Sequence, residues 1–170
     1  EMSRGLGDVY KRQNKQYAGL LPNAIRVTVK NLTLKNANIT AVNDGSNNAY
    51  AGGFIGRAYG TNVVENCTLE NSIVQGINKV GGIAGFQAEN GISIRKCTVK
   101  GSTIKVDTEN QEYGQCGGIL GYIGSVAAAN EVSGNFIINT KVEAPANTNI
   151  GEEHRKSLSL IHISEPTRHL

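Results

Sequence analysis

An eleven-residue block that occurs four times without a gap constrains this chain more than any other feature. It reads VKNLTLKNANI at 29–39, VENCTLENSIV at 64–74, IRKCTVKGSTI at 94–104 and VSGNFIINTKV at 132–142. A second block alternates with it, as Gly52-Gly53-Phe54-Ile55-Gly56, Gly81-Gly82-Ile83-Ala84-Gly85 and Gly117-Gly118-Ile119-Leu120-Gly121. Residues 17–21 look like a degenerate earlier copy of this glycine block, and 149–151 like the start of a later one. Repetition at intervals of this size marks an array whose units cannot bury their apolar faces alone and must stack.

Within the first block, apolar residues occupy positions one, six and eleven in every copy, for example Val64, Leu69 and Val74. Position four holds Leu32, Cys67, Cys97 and Asn135, and the two-residue step to position six is strand spacing. Position eight holds Asn36, Asn71, Gly101 and Asn139, the residue types that best tolerate a positive φ, so the backbone should bend there in each unit. The residue after the bend is always small or hydroxylated: Ala37, Ser72, Ser102, Thr140. No long segment carries a helical period or a convincing cap.

The pattern predicts an all-β chain, a right-handed parallel β-helix (β-solenoid) of about four rungs, with units starting near Val29, Val64, Ile94 and Val132 and three short strands in each. Val29, Val64 and Ile94 should form one inward ladder, and Leu34, Leu69, Val99 and Ile137 another. A β-sandwich is the alternative, but its hairpins call for Asn-Gly or Asp-Gly turns in register. Asn90-Gly91 and Asp44-Gly45 do not recur that way.

The two ends read differently. Residues 3–13 (SRGLGDVYKRQ) and 158–168 (LSLIHISEPTR) can be encoded by mutually reverse-complementary DNA, and the implied DNA resembles a transposase adapter used in sequencing libraries. Segments 1–13 and 158–170 are therefore expected to be non-native, leaving 14–157 as the solenoid fragment. Two classes of partner drop out on composition. No apolar run is long enough for a membrane helix, so no membrane insertion is expected within this fragment. The net charge of +3 is not clustered as nucleic-acid binding requires.

The Gly-Gly-[Ile/Phe]-x-Gly block alternating with Val-x-Asn-Cys-Thr-Leu resembles the GLUG repeats of large secreted and surface proteins of bacteria, including adhesin-like proteins and some IgA-cleaving peptidases. The resemblance covers about residues 17–151. It implies an extracellular or cell-surface stalk or binding scaffold, and it supplies no catalytic residues to transfer.

The chemistry-bearing residues fit that expectation. No glycine block is followed by the Lys-Ser/Thr of a phosphate loop. Cys67 and Cys97 share a register and are read as free core thiols, and Cys116 as a small apolar residue before a glycine pair. With no C-x-x-C, and only His154 among the histidines inside 14–157, neither a metal nor a cofactor is expected. The sharper feature is loop length. Six residues (75–80) lead from the second eleven-residue block to the next glycine pair, whereas twelve do so after the first (40–51) and third (105–116). Both long connections should project from one edge, bringing Asp44, Asn47, Asn48 and Tyr50 near Asp107, Glu109, Asn110, Glu112 and Tyr113 as a low-affinity ligand-binding set for a host glycan or protein surface. The expected activity is non-catalytic recognition, the alternatives being a polysaccharide-degrading β-helix enzyme or a passive spacer of a secreted peptidase. Removing 1–13 and 158–170 should leave the melting temperature unchanged; a drop of several degrees would show that those ends stabilise the fold.

Overall fold

Every repeat folds into five short strands separated by tight corners, and each strand pairs in parallel with its counterpart in the next repeat. The computed structural model describes residues 16–43, 45, 48–106, 114–124 and 130–144. The expected segments 1–13 and 158–170, and the partial copy at 149–151, lie outside the described residues.

The first rung holds β1 (Tyr17–Ala18), β2 (Leu21–Ile25), β3 (Thr28–Lys30), β4 (Thr33–Lys35) and β5 (Asn38–Thr40). The second holds β6 (Tyr50–Gly52), β7 (Ile55–Tyr59), β8 (Asn62–Glu65), β9 (Thr68–Glu70) and β10 (Ile73–Gly76). The third holds β11 (Lys79–Gly81), β12 (Ala84–Glu89), β13 (Ile92–Arg95), β14 (Thr98–Lys100) and β15 (Thr103–Val106). The fourth holds β16 (Gln115–Gly117), β17 (Leu120–Ile123), β18 (Glu131–Ser133), β19 (Phe136–Ile138) and β20 (Lys141–Glu143). Equivalent strands form five parallel four-stranded sheets, so the chain is a parallel β-solenoid of four rungs. The three strands per unit expected from sequence become five, because each glycine block contributes two of its own.

Corners at left-handed residues turn the chain between the faces. The predicted position-eight residues all have positive φ: Asn36 53°, Asn71 49°, Gly101 57° and Asn139 47°. A second corner, not foreseen, falls five residues earlier at Asn31, Asn66, Lys96 and Gly134, and a third at Arg26, Gly60 and Asn90. Lys96 and Arg26 lack the short polar side chain that relieves this conformation in Asn, so neighbouring rungs hold them there at a cost of about 1–2 kcal/mol each.

Side chains just after the corners clamp one rung to the next. The N–H of Ala37 donates to Ser72 Oγ at 3.0 Å, that of Ser72 to Ser102 Oγ at 3.1 Å, and that of Ser102 to Thr140 Oγ1 at 3.4 Å. Each hydroxyl in turn donates to the carbonyl two residues back, Ser72 to Glu70 at 2.8 Å, Ser102 to Lys100 at 2.9 Å and Thr140 to Ile138 at 3.1 Å. Asparagines do the same elsewhere: Val27 N–H reaches Asn62 Oδ1 at 2.9 Å, Ile92 N–H reaches Asn130 at 3.0 Å and Cys97 N–H reaches Asn135 at 2.8 Å. Without these acceptors the corner N–H groups would be buried unpaired, a loss of about 1–3 kcal/mol each.

The inward rows match expectation. Val29, Val64, Ile94 and Val132 stack in register, as do Leu34, Leu69, Val99 and Ile137. Val64, Leu69, Ile94 and Val99 are fully buried. Cys67, Cys97 and Cys116 are buried and free, and burial pushes the Cys97 thiol up to about 11 and Cys116 up to about 12. The glycines allow the first two sheets to touch backbone to backbone. A Cβ on Gly52 would lie 2.1 Å from the Ile55 carbonyl oxygen and 2.6 Å from Gly85 N, and one on Gly81 would lie 2.0 Å from the Ala84 oxygen. Leu69 is fully buried whereas its neighbour Thr68 points outward and is partly exposed. Burial of a Leu is worth about 1.5–3 kcal/mol, and an unpaired carboxylate in its place costs more. Leu69→Asp should therefore abolish the cooperative thermal transition, while Thr68→Asp should shift its midpoint by only a few degrees.

Candidate functional site

Alternation along the first two sheets sends one row of side chains out from each. In the first sheet the small inward residues Ala18, Ala51, Val80 and Cys116 alternate with Tyr17, Tyr50, Lys79 and Gln115, which are partners in register. In the second sheet, Asn23, Arg57, Phe86 and Tyr122 form the corresponding outward row. The close glycine-lined approach of the two sheets brings these rows against each other one rung out of step.

The result is a continuous ladder of rings and cations. Tyr17 and Tyr50 stack with centroids 5.3 Å apart, Tyr50 meets Phe86 edge-on at 4.9 Å, and Phe86 stacks with Tyr122 at 5.8 Å. The Arg57 guanidinium lies 4.5 Å from the Tyr59 centroid and 5.2 Å from that of Tyr17. It donates to both phenol oxygens, Tyr17 Oη at 3.1 Å and Tyr59 Oη at 2.9 Å. One rung on, Lys79 Nζ sits among three rings, 4.9 Å from Tyr50, 5.0 Å from Phe86 and 5.1 Å from Tyr122, and donates to Asn78 Oδ1 at 3.3 Å. Burial holds the Lys79 amine below its ordinary value. Burial, with the Tyr17 phenol as a second cause, raises Tyr50, and Arg57 opposes the rise. Among the described residues no carboxylate forms an ion pair with Arg57 or Lys79.

Of the residues expected to bind ligand, Asn48 and Tyr50 belong to this surface. Asn48 is exposed and its Oδ1 accepts from Tyr50 Oη at 2.8 Å. Tyr50 begins β6 rather than sitting in a loop, and is buried between Tyr17 and Phe86. Asp44, Asn47, Asp107, Glu109, Asn110, Glu112 and Tyr113 lie outside the described residues. The two long connections, β5 to β6 and β15 to β16, both join the fifth sheet to the first and lead into the Tyr50–Gln115 row.

Sequence reading missed Tyr17, Arg57, Tyr59, Lys79, Phe86 and Tyr122. The available signal was positional: Tyr17 and Tyr50 each stand two residues before a glycine, and Arg57, Phe86 and Tyr122 each follow the last glycine of their block. Among the described residues no group of three or more His, Cys, Asp or Glu is placed to hold a metal ion, and no helix is long and apolar enough to cross a membrane.

Residues 47–74, which run from the first long connection through the second rung into β10, match the GLUG motif. The chain carries a GLUG repeat. Because the first and third rungs pair in register with this one, and the fourth with the third, the GLUG unit is in physical terms one rung of the solenoid: two glycine-joined strands followed by three strands between left-handed corners. The GLUG motif occurs in repeat regions of large bacterial proteins. No curated protein and no solved structure gives a significant match.

The third and fourth sheets carry paired charges instead. Glu65 lies 2.8 Å from Lys30 and 3.4 Å from Arg95, and Glu70 lies 3.0 Å from Lys35 and 3.3 Å from Lys100, each carboxylate bridging the rungs on either side of it. The hydrogen bond from Lys30 holds the Glu65 carboxyl below its usual range, and that from Lys35 does the same for Glu70. A carboxyl lowered in the folded state stabilises it above the unfolded pKa of about 4.3, and that stabilisation is lost as pH falls through the folded value. The denaturant midpoint should accordingly fall between pH 6 and pH 3, and the Glu65→Gln, Glu70→Gln double variant should show a flatter dependence over that window.

Proposed function

We propose that this chain is a non-catalytic repeat segment of a large secreted or cell-surface bacterial protein, acting as an adhesin-like stalk and recognition scaffold. The observation that carries this reading is the outward ladder of Tyr17, Tyr50, Phe86 and Tyr122 with Arg57 and Lys79 set into it. The partly exposed rings of Tyr17 and Phe86 and the exposed ring of Tyr122, backed by the buried Tyr50, offer contact area at low entropic cost, which suits recognition of an extended partner. The GLUG match supports a repeat role, since such units occur in repeat regions of large bacterial proteins. Asn48, at the end of the first long connection, supplies a further polar group beside the ladder.

Immobilised chain should retain a glycan or host-protein probe in a manner that weakens on Tyr122→Ala, and should not change on Glu131→Ala, which lies on a different sheet. It should release no reducing or unsaturated sugars from acidic polysaccharides. Release abolished by Asp107→Ala or Glu109→Ala would make the chain an enzyme. Failure to retain any probe would make it a spacer.

A further inference from the structure

The hydrogen bonding at Arg57 specifies what the surface can receive. Both side-chain hydrogen bonds run from the guanidinium to phenol oxygens, so Tyr17 and Tyr59 act as acceptors toward Arg57 and each keeps its own O–H to donate. Among the described residues neither hydroxyl has an acceptor for that proton. A guanidinium carries five N–H donors and two are used here, while its Nε is buried without a partner. The group is therefore a convergence of donors around a positive charge, and among the described residues no carboxylate pairs with it. Arg57, Tyr17 and Tyr59 are all partly exposed, so the donors open to the outside of the solenoid.

The surroundings are as specific as the charge. Phe86 and Tyr122 continue the row beside Arg57 at the rung spacing of about 4.8 Å, and Lys79 places a second cation one rung further along among their rings. An open strip of this kind, alternating cation and ring, fits a chain of ring-shaped units bearing anionic groups better than a single small ion or a flat apolar surface. Sugar rings present both the hydroxyl acceptors and the C–H faces that such a strip can meet.

Resting on the recognition role proposed above, we infer that the ladder binds an acidic glycan, with an oxyanion on a saccharide unit received by Arg57 between the Tyr17 and Tyr59 hydroxyls and the following units lying along Phe86 and Tyr122 toward Lys79. The anionic group is a carboxylate or a sulfate ester, which share the same acceptor chemistry.

Calorimetric titration of the full chain tests this with four probes: an oligogalacturonate, a sulfated galactose oligosaccharide, the uncharged galactose oligosaccharide of equal length and poly-glutamate. At least one charged sugar should bind about tenfold or more tightly than the uncharged one, and its affinity should fall with added salt. The carboxylate and sulfate arms identify which oxyanion is used. Arg57→Gln should lose about tenfold or more. Arg57→Lys keeps the charge but not the fork, and should lose less than Gln yet remain below the parent. The Tyr17→Phe, Tyr59→Phe pair removes only two hydroxyls and should also weaken the charged sugar, with binding of the uncharged one unaffected. Circular dichroism of each variant, and Glu131→Ala as a control off the ladder, establish that the fold is retained. Equal binding of charged and uncharged sugars, or an unchanged affinity in Arg57→Gln, would overturn the acidic-glycan inference while leaving a recognition role intact. Binding of poly-glutamate alone would do the same in favour of an acidic protein partner. No binding of any probe would overturn both.

Discussion

The hydrogen bond from a corner N–H to a side-chain oxygen in the next rung is the interaction on which the rest of this structure depends. A left-handed corner turns the chain sharply but withdraws the following amide from any partner in its own rung. Ser72, Ser102, Thr140, Asn62, Asn130 and Asn135 supply that partner from the neighbouring rung. Corners are thereby locked in vertical register, and register in the corners fixes register in the short strands between them. Strands of three residues could not specify their own alignment, since a slip of one position exchanges the inward and outward faces.

Once the rungs are aligned, everything else appears as a row. Inward rows of Val, Leu, Ile and Cys make a core that no single rung could enclose. Outward rows become ion-pair ladders where signs alternate, as at Lys30, Glu65 and Arg95, and an aromatic ladder where rings recur. The glycine seam adds one more consequence. Because side chains are excluded from the contact between the first two sheets, their backbones approach closely enough for rings of one row to reach cations and rings of the other.

Sequence made the corner at position eight legible because Asn and Gly exchange there with nothing else. The corner five residues earlier was hidden by Lys96, whose presence in a left-handed conformation contradicts its own preference and is imposed by the rungs around it. The inward ladders could be read, since burial filters residue type strongly. The aromatic site could not, because its members come from two different registers: Tyr50 and Phe86 are neighbours in space only through an offset between sheets that no single repeat encodes. Loop length drew attention to the connections before β6 and β16, whereas the rings and cations of the ladder sit on strands, where sequence reading singled out only Tyr50 for binding.

The corner hydrogen bonds also all run the same way along the axis, with the amide on the earlier rung and the oxygen on the later one. The stack therefore has a grammar of direction. A rung can be copied, dropped or exchanged for another of its kind, since each speaks to its neighbours through the same donor and acceptor, but it cannot be turned over without silencing every corner at once. Growth by tandem duplication keeps that direction, and so a protein of any length built from such rungs carries one continuous polarity from its first rung to its last.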